Sequence, residues 1–189
     1  MDFQTNTPIP HPLNNALPAG AVWELPWVVN QAGFRFHNWY GFGRLNVDAA
    51  LALARNYVSP LGNYTETNFA HEQTGLTVAI PDNSAVGGSS TLTVNTSLRI
   101  EAAQIQLWVT HPDISELAIE LTSPSGTRSL LVNMHNSLVG LPNYQGELMM
   151  TNAFYQENSQ GTWTLKVIDG KFNQTGALTR WRLNLVGGN

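Results

Sequence analysis

THPDISELAIELTSPSGTRSLLV, residues 110–132, decides the fold class of this chain. Leu117, Ile119 and Leu121 recur at every second position, with Glu116 and Glu120 on the opposite phase. A strand alternates its side chains between two faces, so this spacing predicts a half-buried strand with the glutamates on its solvated side. Ser123-Pro124-Ser125-Gly126 then supplies turn chemistry, and Leu130 and Val132 resume the alternation. Just upstream, Ile105, Leu107 and Val109 share one face of a strand that stops at His111-Pro112-Asp113.

The same pattern extends outward. Leu76, Val78 and Ile80 alternate up to the turn Pro81-Asp82-Asn83, and Leu92 and Val94 begin another run. Gly87-Gly88-Ser89-Ser90 between them reads as a flexible loop, and a long loop rich in Gly and Asn runs from Val132 to about Gly146. Trp163, Leu165 and Val167 alternate before Asp169-Gly170, and Trp181, Leu183 and Leu185 form the last run. At least seven short strands separated by turns predict an all-β fold, a jelly-roll-like β-sandwich.

Residues 1–58 break this pattern. Pro8, Pro10, Pro12, Pro18 and Pro26 predict an irregular segment, after which Val47, Ala50, Leu51 and Ala54 recur at helical spacing. Asn46 stands at the N-cap position, Asp48 lies in the first turn, and the helix is expected to run to about Tyr57. Nothing later in the chain is patterned as a second helix, so this one packs on a sheet or on a surface outside the chain. Residues 59–71 carry Pro60, Gly62 and little apolar content, and read as a linker to a β-domain at 72–189.

Composition narrows the function. Hydrophobic residues make up 42% of the 189 residues, enough for a core, while charged residues are only 12%, about half the usual share. A low-charge surface rich in Thr and Asn fits an extracellular β-protein. The net charge of −4 and the lack of a basic run argue against a nucleic-acid partner. Apolar stretches are too short to cross a membrane, and the N-terminus lacks the apolar core of a signal peptide. Cysteine is absent, which removes disulfides, zinc–thiolate sites and thiol nucleophiles.

Motifs for catalysis are sparse. The histidines, at 11, 37, 71, 111 and 135, form no metal-binding spacing, and His111 at a strand end reads as a structural imidazole. No nucleophile elbow or phosphate-binding loop is present. Glu116 and Glu120 could in principle serve as a glycosidase pair, but fit the solvated face of a strand better. Asp82, Asp113, Glu116 and Asp169 fall in or beside turns, the usual source of calcium ligands, and are the candidate site for that ion.

Four stretches carry a resemblance: IPDNSAVGGSSTLTV (80–94), THPDISELAIELTSPSGTRSLLV (110–132), GTWTLKVID (161–169) and TGALTRWRLNLVG (175–187). In order and spacing, residues 72–189 resemble the P domain, or Homo B domain, that follows the catalytic domain in kexin/furin-like subtilisin-family serine proteases. WVVNQAGFRFHNWYGFGRLNVDAALALA (27–54) looks like the closing segment of such a catalytic domain. The resemblance implies that its helix packs on an α/β protease core. It also implies a non-catalytic chain that supports folding, stability and the calcium and pH response of a secreted serine endopeptidase. The blocks that hold the catalytic Asp, His and Ser in that family are not found in these residues. One departure stands out: many convertases have Arg-Gly-Asp where this chain has Ile114, Ser115 and Glu116, so any role tied to that tripeptide does not transfer. Trp39, Tyr40 and Phe42 are the candidate interface to the protease domain, since aromatics are enriched where two surfaces bury each other. The chain is expected to be monomeric, with its export signal elsewhere. The competing expectation is a free-standing module that binds carbohydrate or a surface protein through exposed aromatics; against it, Trp108, Trp163 and Trp181 lie in strands, and Trp163 and Trp181 share the apolar phase, which fits core packing better.

Overall fold

The computed structural model describes residues 8–10, 15–59 and 62–189; parts of the irregular N-terminal stretch, including His11, and of the expected linker, at 60 and 61, lie outside them. The fold is an antiparallel β-sandwich. Strands β1 (Val28–Val29) and β2 (Arg35–Phe36) form a small hairpin, followed by the single helix α1 (Val47–Ala54). Then come β3 (Tyr64–Glu66), β4 (His71–Gln73), β5 (Val78–Ile80), β6 (Ser84–Val94) and β7 (Arg99–Thr110). The chain ends with β8 (Leu117–Thr122), β9 (Arg128–Val132), β10 (Tyr144–Thr151), β11 (Gly161–Asp169) and β12 (Gly176–Gly188).

One sheet runs β10–β7–β12, and β3, β4 and β5 share the free edge of the long β12; the other runs β6–β11–β8–β9. Between them lie the residues that the alternation places inward: Ile105, Leu107 and Val109 from β7, Leu117, Ile119 and Leu121 from β8, and Leu165 and Val167 from β11. Trp163 and Trp181 are fully buried among them, with Phe154 edge-on to Trp163 at 5.0 Å. Their indole nitrogens donate to Ser159 O and Ser90 Oγ, so neither aromatic buries an unpaired donor. These two tryptophans are core, and no binding platform can be built from them.

Three sequence expectations change. Residues 59–71 are not all linker, because Tyr64–Glu66 pairs with Val186–Gly188 of β12 and Thr67 N donates to Leu185 O. Its low apolar content reflects an edge strand rather than a free tether. Gly87-Gly88-Ser89-Ser90 is not a flexible loop but the middle of β6. A Cβ on Gly88 would sit 2.6 Å from Ala79 O, and Gly87 has φ +63°, so glycine here permits close strand approach and a bulge. The loop after Val132 ends at Tyr144, where β10 begins.

The N-terminal segment lies across the outer face of the four-stranded sheet. Leu25 packs with Ala118, Leu130, Met134 and Ile168, and Leu17, Val22, Trp23 and Val28 flank this second core. Helix α1 starts as expected, with Asn46 Oδ1 accepting from Ala49 N at 2.9 Å, and ends at Ala54. None of its residues is buried. Among the described residues no helix is long and apolar enough to cross a membrane.

Candidate functional site

Two places in this fold carry chemistry or surface that packing alone does not use up. The first is where β7 and β11 end beside a 3-10 turn at Ile114–Glu116. The β11–β8 register sets Asp169 opposite Leu117, which brings its carboxylate beside Glu116 and the imidazole of His111. One ligand atom from each of the three residues lies within 4.8 Å of the others, and all three residues are buried.

Each group is held from behind. His111 Nδ1 is 2.8 Å from Asp113 O, and Nε2 is 3.4 Å from Asp169 Oδ2. Its ring nitrogens thus face a carbonyl and a carboxylate, and the imidazole is not aimed at a hydroxyl nucleophile. Asp169 Oδ1 accepts from Lys171 N at 3.0 Å, and burial pushes the Asp169 carboxyl up from its ordinary range. Glu116, 1% exposed, accepts through Oε1 from Lys171 Nζ at 2.6 Å, while its Oε2 is buried with no hydrogen-bond partner among the described residues. The hydrogen bond and charge of Glu116 raise the Lys171 ammonium above its usual value. Gly170 N donates to Glu116 O at 2.9 Å, and a Cβ on Gly176 would meet the His111 ring at 2.7 Å, so the backbone closes tightly behind the cluster. In front lies an open cleft of about 660 Å³, bordered by Asn83, Asp113, Glu116, His135 and Lys171.

The expected calcium ligands part company here. Glu116 and Asp169 converge. Asp82 is exposed and accepts from Asn173 N at 3.2 Å, outside the cluster. Asp113 caps the 3-10 turn by accepting from Ser115 N at 3.0 Å; burial pushes its carboxyl up, but hydrogen bonds from Ser115 and Gly140 and the Lys171 charge together hold it below its ordinary value. Of the four carboxylates, Glu116 and Asp169 meet beside an imidazole nitrogen, while Asp82 and Asp113 accept hydrogen bonds from Asn173 N and Ser115 N.

The solvated-face reading of Glu116 and Glu120 is also overturned: both are buried. Glu116 sits in the turn before β8, and Glu120 is paired to Arg128 by hydrogen bonds of 3.0 and 2.5 Å. The reason is tertiary. The N-terminal segment and its neighbours cover the outer side of β8, leaving the strand buried on both faces. The two carboxylates therefore have separate basic partners and no shared cleft for a glycosidase reaction.

The second place is the N-terminal surface. Tyr40 stacks on Trp27 (centroids 6.1 Å apart), and Phe42 packs edge-on to Phe36 and Tyr155, both at 5.4 Å. Trp39 meets Trp23 at 5.6 Å. Local packing is thus real, yet Trp39 remains 46% and Phe42 49% exposed. They lie on the same segment as Leu45, Val47, Leu51, Leu53 and Val58, all exposed. The stretch that leads into this run is anchored to the sandwich: Asn30 Nδ2 donates to Ala153 O and Tyr155 O, and Asn38 Nδ2 donates to Leu130 O.

Comparisons with known proteins span both regions of the chain. Residues 100–185 match the model for the proprotein convertase P-domain. The chain is 39% identical over 156 residues to the Aeromonas extracellular serine protease of Aeromonas sobria, covering 76% of this chain and 25% of that protein. It is 31% identical over 200 residues to rat (Rattus norvegicus) proprotein convertase subtilisin/kexin type 5, covering 98% of this chain and 11% of that one. A crystal structure of the Aeromonas sobria serine protease in complex with a chaperone superposes with a TM-score of 0.81 at 31% identity, over 93% of this chain and 36% of that one. The chain spans a quarter or less of the length of the curated relatives it matches. Through its β-sandwich, it belongs to the proprotein convertase P-domain family of subtilisin/kexin-type serine proteases.

Proposed function

We propose that this chain is the non-catalytic P-domain portion of a secreted subtilisin/kexin-like serine endopeptidase, and that it supports the folding and stability of a protease domain in the same polypeptide. The observation that carries this reading is helix α1, which is regularly capped yet buries none of its apolar residues. Exposed apolar surface of this extent marks an interaction face. Ala49, Ala50, Ala52 and Ala54 keep the helix slim enough to approach a partner closely. Asn30, Asn38 and the Trp23–Leu25 core fasten the segment that leads into α1 to the sandwich, so a protease domain seated on α1 is tied to the sandwich through that segment. Burial of apolar area on both sides provides the stabilisation.

The test is a double substitution, Val47→Asp with Leu51→Asp, made in the longer protease polypeptide and in the 189-residue chain. The support reading expects a marked loss of active protease from the longer polypeptide at equal synthesis, with the melting temperature of the short chain unmoved. Undiminished protease yield would overturn it.

A further inference from the structure

We propose that His111, Glu116 and Asp169 form a binding site for a divalent transition-metal ion of the zinc class. The site stands on its own geometry and does not depend on the helix α1 reading.

The first argument is spacing. The backbone of Asp113 holds His111 Nδ1 from behind, with its carbonyl oxygen at 2.8 Å and its N–H at 3.2 Å, and this turns Nε2 toward the carboxylate oxygen Oδ2 of Asp169. A charge-assisted hydrogen bond would draw them to about 2.7–2.9 Å; they stand 3.4 Å apart. Metal–ligand distances of about 2.0–2.2 Å put tetrahedral ligands about 3.3–3.5 Å from each other, the spacing of this pair, and Glu116 joins the pair within 4.8 Å.

The second argument is Glu116 Oε2, a buried carboxylate oxygen without a partner in the same cluster. A buried acceptor left unmade is costly, and a metal ion satisfies it. The support expected of a metal ligand set is also present. His111 Nδ1 is held by the Asp113 backbone, and Asp169 Oδ1 by the Lys171 N–H. One imidazole and two carboxylates select zinc-class ions over calcium, and the cleft beside Glu116 leaves room for water as a fourth ligand.

Lys171 gives the site a built-in competitor. Its ammonium neutralises Glu116 Oε1, but its side chain is 58% exposed and free to swing into solvent. Metal entry and the Lys171–Glu116 ion pair should therefore oppose each other.

The 189-residue chain, stripped with chelator, is titrated with Co²⁺ and followed by visible ligand-field absorption, then back-titrated with Zn²⁺. The expected result is one equivalent of cobalt with the intense bands of a tetrahedral site, displaced by zinc and not by an equal concentration of calcium. His111→Gln should abolish the bands, and Lys171→Met should tighten zinc binding by roughly tenfold or more, because a nearby positive charge is removed. Absence of tetrahedral bands in the parent chain, their survival in a folded His111→Gln variant, or displacement by calcium would each overturn the site. If His111→Gln does not fold, Lys171→Met decides: unchanged zinc affinity counts against the proposal.

Discussion

Asn30 reaches 123 residues along the chain to hydrogen-bond the carbonyl of Ala153 at 3.1 Å, and the same amide donates to Tyr155 O at 2.8 Å. Its Oδ1 accepts from Phe34 N at 2.9 Å, closing the loop between β1 and β2. One buried amide thus ties the N-terminal segment to the sandwich. Asn30→Ala leaves two carbonyls short of a donor and should weaken the docking of this segment by about 1–3 kcal/mol. Hydrogen exchange should then speed up over residues 15–45 and stay slow in β7, β11 and β12. Uniform acceleration would mean that segment and sandwich unfold as one unit.

Gly176 is the backstop of the charged cluster. A methyl group there would sit 2.2 Å from Thr110 O and 2.7 Å from His111 Cδ2, and neither the strand nor the buried ring has space to yield. Gly176→Ala is expected to cost about 1–3 kcal/mol as overpacking, seen as a fall of several degrees in Tm. An unchanged Tm would show that the end of β7 is softer than its packing suggests.

Glu24 sets a pH dependence. Burial raises its carboxyl above the ordinary 4.5, and hydrogen bonds from Asn133, Leu25 N and Asn38 only partly offset this. The folded state therefore binds the proton more tightly than the unfolded state. Its contribution to stability is full below the unfolded value and is lost as pH rises through the raised folded value. The N-terminal segment should hold more firmly in mild acid than at neutral pH, and Glu24→Gln should flatten that slope. Parallel stability–pH curves for the parent chain and the variant would refute the assignment to Glu24.

Trp39 is half-exposed and touches Trp23 at its edge, so Trp39→Ala should destabilise the 189-residue chain only slightly. In the longer protease polypeptide the loss should be larger, because the indole would there be covered by a second surface. Denaturation of both forms checks this: equal losses would confine Trp39 to local packing. Phe42 makes the same comparison stricter, since it already leans on Tyr155 within the chain.

Much of this protein is legible along the chain because strand and helix patterns are local. Alternation at Ile105–Val109, Leu117–Leu121 and Trp163–Val167 names both the strand and its inward face without reference to any partner. Asn46 announces the helix in the same way, since a cap acts within three residues. The apolar helix with no companion pattern left two readings, packing on a sheet here or on a surface outside the chain, and none of its residues is buried in this fold. Gly87 and Gly88 mislead because a glycine pair in a loop and one at a close strand approach read alike until the neighbouring Ala79 is in place.

The site was legible only in pieces. Glu116 and Asp169 could be singled out as turn carboxylates, but His111 and Lys171 were not among the candidates, and Asp82 was included without joining them. Sequence by itself determined the core of β7, β8, β11 and β12, the inward faces of those strands, the helix and its cap, because each rests on interactions a few residues apart. Only the tertiary structure decided that β11 pairs with β8 so that Asp169 falls opposite Leu117, and that the N-terminal segment packs on Ala118 and covers the outer side of β8. Register and coverage join residues tens of positions apart, through hydrogen bonds and apolar contact that no local pattern encodes.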